Sequence, residues 1–172
     1  LRSLFFIGAF SWLFLLQACG QVTDKAYALM LKGLYKNSVP FITPAMLQAK
    51  IDREATAPLI LDTRQPEEYA VSHIAGSRFV NYDTFKLAQL NDVPKDRPVV
   101  VYCTVGYRSE RVSEKLKAAG YTNVLNLYGG IFEWVNRGYP VYNSEGKTAK
   151  VHAYSKAWGK WLQKGEKVYG SE

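Results

Sequence analysis

Residues 98–102 read Pro-Val-Val-Val-Tyr, an uninterrupted apolar run too short for a buried helix and followed at once by Cys103. A strand with no polar alternation is buried on both faces, which is the environment of a parallel sheet covered by helices on each side. The residues around it keep the same rhythm. Pro58–Asp62 reads as a short buried strand, Pro66–Tyr69 opens a short helix, and a turn-rich link over His73–Ser77 leads to a second strand around Arg78–Asn81. Asp83-Thr84 can cap a further short helix through Leu90, and Asn91–Arg97 is a polar loop. Beyond Cys103, Ser109–Ala119 has Val112, Leu116 and Ala119 on one helical face and ends at Gly120. Asn123–Leu127 reads as another strand, and Gly129-Gly130 leads into a helix through Trp134 that Gly138 and Pro140 stop. Strands alternating with helices predict a three-layer α/β/α domain on a mostly parallel sheet of about five strands.

Two further segments precede this domain. Residues 22–36 place Val22, Ala26, Leu29, Met30, Gly33 and Leu34 at helical spacing. Thr43-Pro44 is a helix start, threonine as cap and proline in the first turn, for Ala45–Lys50. At the other end, residues 143–172 hold six lysines against three glutamates, interleaved with Tyr154, Trp158, Trp161 and Tyr169. Trp158, Trp161 and Leu162 share a helical face, so this extension reads as a short helix packed on the domain, or as a basic aromatic surface resting near lipid headgroups. The expected organisation is residues 1–18, 19–41, 42–142 and 143–172.

Charge and cysteine content narrow the function classes. The net charge is +7, but lysine and arginine are scattered without a long run, which suits anions or anionic lipid better than a nucleic-acid groove. Ser3–Ala18 is uncharged and almost wholly apolar, shorter than a spanning helix, and fits the core of an export signal. It ends in Leu16-Gln17-Ala18-Cys19-Gly20, which resembles a bacterial lipobox, with an ordinary secretory signal or an uncleaved anchor as alternatives. The resemblance implies lipidation at Cys19 and a lipid-anchored protein of the bacterial cell envelope, periplasmic or surface-exposed. It also leaves Cys103 as the single thiol.

The position of Cys103 favours a reactive role. A cysteine between a parallel strand and the start of a helix lies where open α/β sheets bind ligands. The helix start offers free N–H groups and the positive end of a dipole, Gly106 permits loop angles that a branched residue resists, and Arg108 adds a fixed charge. All favour a thiolate and a cradle for an anionic group on its sulfur. The alternative is a buried structural cysteine at a strand end.

Residues 42–142 resemble the rhodanese family of sulfurtransferases. The likeness is carried in order by Leu61-Asp62-Thr63-Arg64, Glu67-Glu68-Tyr69, His73-Ile74-Ala75-Gly76-Ser77, Val99–Cys103 with its loop through Ser109, Leu116–Tyr121, Asn123-Val124, Leu127–Gly130, Trp134 and Gly138–Val141. One departure is Ser72, where the family commonly has glycine. The resemblance implies that Cys103 holds sulfane sulfur as a persulfide and passes it from an anionic donor such as thiosulfate to cyanide or a thiol. Loop residues Thr104, Val105, Gly106, Tyr107 and Arg108 would cradle the sulfur, with Arg108 orienting the donor and Val105 and Tyr107 shaping the entrance. Related phosphatases of this fold place arginine six positions after the cysteine; here it is five, a tighter ring that suits one sulfur atom. Asp62 and Arg64, at a strand end, are expected in a structural or supporting role, contacting the active loop or pairing only with each other, and His73 as a turn-fixing partner. No cofactor, metal or nucleotide is implied. The competing class is a rhodanese-like module that carries or senses sulfur, or docks a partner, with little turnover.

Overall fold

The computed structural model describes residues 25–170. Cys19 and the segment expected to be a signal lie outside the described residues. The described residues divide into two compact units, 25–34 and 35–170. In the first, the described residues form one helix, α1, over residues 25–34.

The second unit is built on five parallel strands, β1 (Phe41–Ile42), β2 (Leu59–Asp62), β3 (Arg78–Phe79), β4 (Val99–Tyr102) and β5 (Val124–Leu127). Their order across the sheet is β1-β5-β4-β2-β3, with every pairing parallel. The apolar run at Val99–Tyr102 is therefore the central strand, buried along its whole length. Side chains alternate across a strand. Leu59, Leu61, Val99, Val101 and Val124 pack on one face with Val112 and Leu116, while Ile60, Val100 and Tyr102 are buried on the other. With both faces covered, the sheet is the middle layer of an α/β/α domain, and side chains of this size each stabilise it by about 1.5–3 kcal/mol.

Helices α2 (Pro44–Ile51), α3 (Pro66–Val71), α4 (Tyr107–Ala118) and α5 (Gly130–Asn136) alternate with the strands. Thr43 caps α2 as expected, its side chain accepting the Met46 N–H. The helix expected from Asp83 is instead a pair of turns, the second a 3-10 turn at Leu87–Leu90. Asn81, at φ 44°, takes the Asp83 and Thr84 N–H groups onto its own side chain and closes a tight turn there.

The tail is mostly extended. The hairpin β6 (Val141–Asn143) and β7 (Gly146–Thr148) is followed by the parallel pair β8 (Lys150–His152) and β9 (Glu166–Val168). The expected terminal helix contracts to the four residues of α6 (Lys156–Gly159), capped by Ser155. Local helical spacing loses here to pairing with β8, which lies against α3. No helix of the described residues is long and apolar enough to cross a membrane.

Candidate active site

Cys103 leaves the C-terminal end of β4 and is 1% exposed. Gly106 sits at φ 102° as the N-cap of α4, so the helix begins at Tyr107, two residues before the sequence pattern suggests. A side chain at Gly106 would meet backbone strain and the ring of Tyr35. The Gly106 N–H donates to Cys103 Sγ at 3.1 Å. Ser109 Oγ lies 3.6 Å from the same sulfur and 2.7 Å from Asn126 Oδ1, so its single proton is shared between two acceptors. Asn126, buried on β5, donates in turn to the Gly106 carbonyl at 2.9 Å.

The first two loop carbonyls are taken up by α5. Cys103 O accepts from Ile131 N at 2.9 Å and Thr104 O from Phe132 N at 3.2 Å, both in the first turn of α5. These are N–H groups that a helix start leaves unpaired. The approach is close enough that a Cβ at Gly130 would collide with the Cys103 and Thr104 carbonyls. With these two carbonyls bound to α5, the loop can turn N–H groups toward the cysteine, as a nest requires.

Two residues that the sequence does not single out as site residues hold this loop. Tyr35 Oη donates to Val105 O at 2.6 Å and accepts from Gly129 N at 2.9 Å, tying the cysteine loop to the turn before α5. Burial pushes the Tyr35 hydroxyl well above its ordinary value, so it remains a proton donor. Tyr35→Phe is expected to lose about 1–3 kcal/mol, since the Val105 carbonyl and Gly129 N–H lose their partner together; urea unfolding of the two proteins measures it.

The second is Glu68. Arg108 Nη1 and Nη2 donate to Glu68 Oε2 and Oε1 at 2.8 and 2.9 Å, and Nη2 also donates to Thr104 Oγ1 at 2.8 Å. Thr104 Oγ1 donates to Glu68 Oε1 at 2.7 Å, closing the ring. Glu68 also caps its own helix, accepting from Gln65 N at 2.9 Å. Burial alone would raise the Glu68 carboxyl, but hydrogen bonds and charge from Arg108 hold it below the usual carboxylate value of 4.5. Burial likewise opposes the Arg108 charge, and Glu68 overcomes it, so the guanidinium stays protonated.

A carboxyl depressed in the fold contributes stability that is present above its unfolded value and lost as pH falls through the folded one. The Tm of the wild type is therefore expected to fall more steeply below about pH 4.5 than that of Glu68→Gln. At pH 7 the variant is expected to be about 1–3 kcal/mol less stable, its Arg108 having lost a charged partner. Circular dichroism melts across pH check both.

The remaining candidates occupy distinct places. Tyr107 is 42% exposed with the Arg111 guanidinium 4.9 Å over its ring, whereas Val105 is buried. Asp62 and Arg64 form a fully buried pair: Asp62 accepts from Arg64 N, Nε and Nη2, the last at 2.6 Å. Arg64 Nη2 reaches the Ser72 carbonyl at 2.6 Å. Ser72 is in extended backbone at φ −172°, which any residue adopts, so serine is accommodated where the family commonly has glycine. His73 exchanges backbone hydrogen bonds with Tyr142, stacks on Tyr69 at 4.0 Å, and its Nδ1 lies 3.1 Å from Tyr69 O. It pins β6 to the link after α3. Trp134 is core, its Nε1–H donating to Pro140 O. Among the described residues no group of three or more metal-ligating side chains is gathered.

Glu68 and Asn126 had local signals, one in a Gln65-x-x-Glu68 capping pattern and the other as a lone polar residue inside a strand. Neither signal names its partner, which lies 40 residues away for Glu68 and 20 for the Gly106 contact of Asn126.

Comparison with known proteins agrees with this construction. The profile of the Rhodanese-like domain family matches residues 43–137. A sulfurtransferase of Allochromatium vinosum is 38% identical over 88 residues, covering 51% of this chain and 81% of that protein. A tRNA uridine(34) hydroxylase of Erwinia tasmaniensis is 32% identical over 121 residues, covering 67% of this chain but 32% of the hydroxylase. Among solved structures, a rhodanese-related protein of Thermoplasma volcanium superposes with a TM-score of 0.51 at 31% identity, covering 59% of this chain and 96% of that one. The parallel sheet, the cysteine loop and these matches have one common reading: this chain belongs to the rhodanese-like domain family.

Proposed function

We propose that the protein is a sulfurtransferase working through a persulfide on Cys103. The thiolate attacks the outer sulfur of an anionic sulfane donor such as thiosulfate; the donor S–S bond breaks and sulfite leaves with the electron pair. A thiophilic acceptor, cyanide or a thiol, then takes the terminal sulfur and returns Cys103 to thiolate. The observation that carries this reading is the Gly106 N–H set 3.1 Å from Cys103 Sγ, in a loop whose first two carbonyls are bound by α5. Such a loop favours negative charge on sulfur and suits a single added atom. Arg108, fixed by Glu68 and Thr104, supplies a standing positive charge at the loop that needs no reorganisation during transfer. The five-position spacing from Cys103 to Arg108 favours sulfur over the larger phosphate.

Mass spectrometry after exposure to thiosulfate tests the chemistry: Cys103 is expected to gain one sulfur atom, and thiocyanate to form on adding cyanide. Absence of the adduct refutes the reading. An adduct without turnover supports the second reading, a sulfur-carrying or sensing module, which the likeness to a segment of the larger hydroxylase favours.

The proposal extends to location: acylation at Cys19 would tether the domain to a membrane of a bacterial envelope. Radiolabelled fatty acid is expected to enter the wild type and to be lost in Cys19→Ser; equal labelling of both removes the anchor.

A further inference from the structure

The tail after Val141 brings one side chain to Arg108, and it does so from a strained backbone position. Tyr154 has φ 63°, a left-handed value that bulky residues rarely adopt. Around it the Ser155 N–H donates to the Ala153 carbonyl at 2.8 Å, closing a three-residue turn whose positive-φ form is rare and strained. Both flanks hold this turn in place. The Ala153 N–H donates to Val168 O of β9 at 2.7 Å, the Tyr154 N–H donates to His152 Nδ1 at 3.2 Å, and Ser155 caps α6. Glycine meets such an angle without steric cost, yet a tyrosine stands here and is 52% exposed. Core packing does not explain a half-exposed ring, and strain of this kind gathers where a side chain is presented for use.

What the ring meets is the guanidinium of Arg108, 5.4 Å from the ring centre and within reach of a cation–π contact. Glu68 and Thr104 already engage Nη1 and Nη2. A pairing along one edge fixes the distance of a planar group but not its tilt, and a ring over the group opposes that tilt. Glu68 also offsets the Arg108 charge. The pull that remains for an anion therefore depends on where the guanidinium stands and how little water screens it. The Arg108 side chain is 15% exposed, so an approach to it stays open.

We propose that Tyr154 is a positioning residue for the donor half of the reaction. Its ring holds Arg108 at the tilt in which a small sulfur oxyanion is bound beside Cys103, and it keeps water off that charge. The assignment rests on the sulfur-transfer reading above. Tyr154 lies beyond residues 43–137, the span matched by the family profile, so the extension of this chain supplies it.

The test uses the full chain and thiosulfate as probe. Calorimetric titration of Cys103→Ala, which cannot take the sulfur, reads donor binding alone. Adding Tyr154→Leu keeps apolar bulk and the same backbone demand but removes the π face, and is expected to weaken binding about three- to tenfold. Tyr154→Phe in its place is expected to restore it. With Cys103 intact, Tyr154→Leu is expected to lower kcat/KM for thiosulfate by the same factor while kcat/KM for cyanide changes less than about twofold. General loosening of the fold lowers both together. Absence of saturable binding, unchanged or tighter binding in Tyr154→Leu, no restoration by Tyr154→Phe, or equal losses for thiosulfate and cyanide overturns the assignment. Failure of wild-type Cys103 to gain sulfur refutes the transfer reading separately, and the titrations then decide the role of Tyr154.

Discussion

Replacing Cys103 by alanine is expected to reduce thiocyanate formation from thiosulfate and cyanide to background, a loss of at least about a thousandfold. Nothing else near the loop can substitute. Ser109 Oγ lies 3.6 Å from the sulfur, but its proton is shared with Asn126, and Cys103 is the free cysteine among the described residues. The variant is expected to fold. Removing one sulfur from a buried position costs about as much as any small core truncation, and the loop retains Tyr35, Asn126 and α5 as anchors. A matched pair of measurements checks this: unchanged far-ultraviolet circular dichroism, and no one-sulfur adduct after donor treatment. Residual turnover within tenfold of wild type would place the nucleophile elsewhere.

The largest effect on stability is expected at Asp62. Its carboxylate accepts from three nitrogens of Arg64, and that guanidinium is wholly buried. Arg64 Nη1 has no hydrogen-bond partner among the described residues, so little remains to satisfy the charge once Asp62 is removed. Burial disfavours the Arg64 cation, and Asp62 overcomes that penalty, holding the guanidinium protonated. Asp62→Ala leaves an uncompensated buried charge and is expected to cost about 3–5 kcal/mol. At about 2–4 °C per kcal/mol for a chain of this size, Tm falls by roughly 6–20 °C. A double variant, Asp62→Leu with Arg64→Met, is expected to recover much of that loss, because replacing both members of a buried pair is far gentler than removing one. Thermal melts of the single and double variants test the claim. A double variant no better than the single one would show that the pair is needed for more than its own neutralisation.

These predictions separate what was legible in the sequence from what was not. The strand at Val99–Tyr102 could be read because complete burial leaves a complete apolar run, and α4 because its buried face recurs at helical spacing. The sequence suggests a helix start at Asp83-Thr84 because those residues resemble caps, whereas the side chain that captures their N–H groups, Asn81, precedes them. The extended part of the tail is not legible for a related reason. Its aromatic spacing suits a helix, but pairing of Lys150–His152 with Glu166–Val168 is a contact between distant residues that leaves no periodic trace.

The layered parallel sheet, the position of Cys103 at a strand end and the glycine that lets the loop turn into α4 are all legible along the chain. Those features are local: burial, period and backbone freedom are written in neighbouring residues. Who holds Arg108, what braces the loop and what stands beside it emerge from contacts between distant parts of the chain. Glu68, Tyr35, Asn126 and Tyr154 come from four separate parts of the chain and meet at one loop. The physical reason is that a hydrogen bond or ion pair constrains two residues in space while leaving the spacing between them along the chain unconstrained.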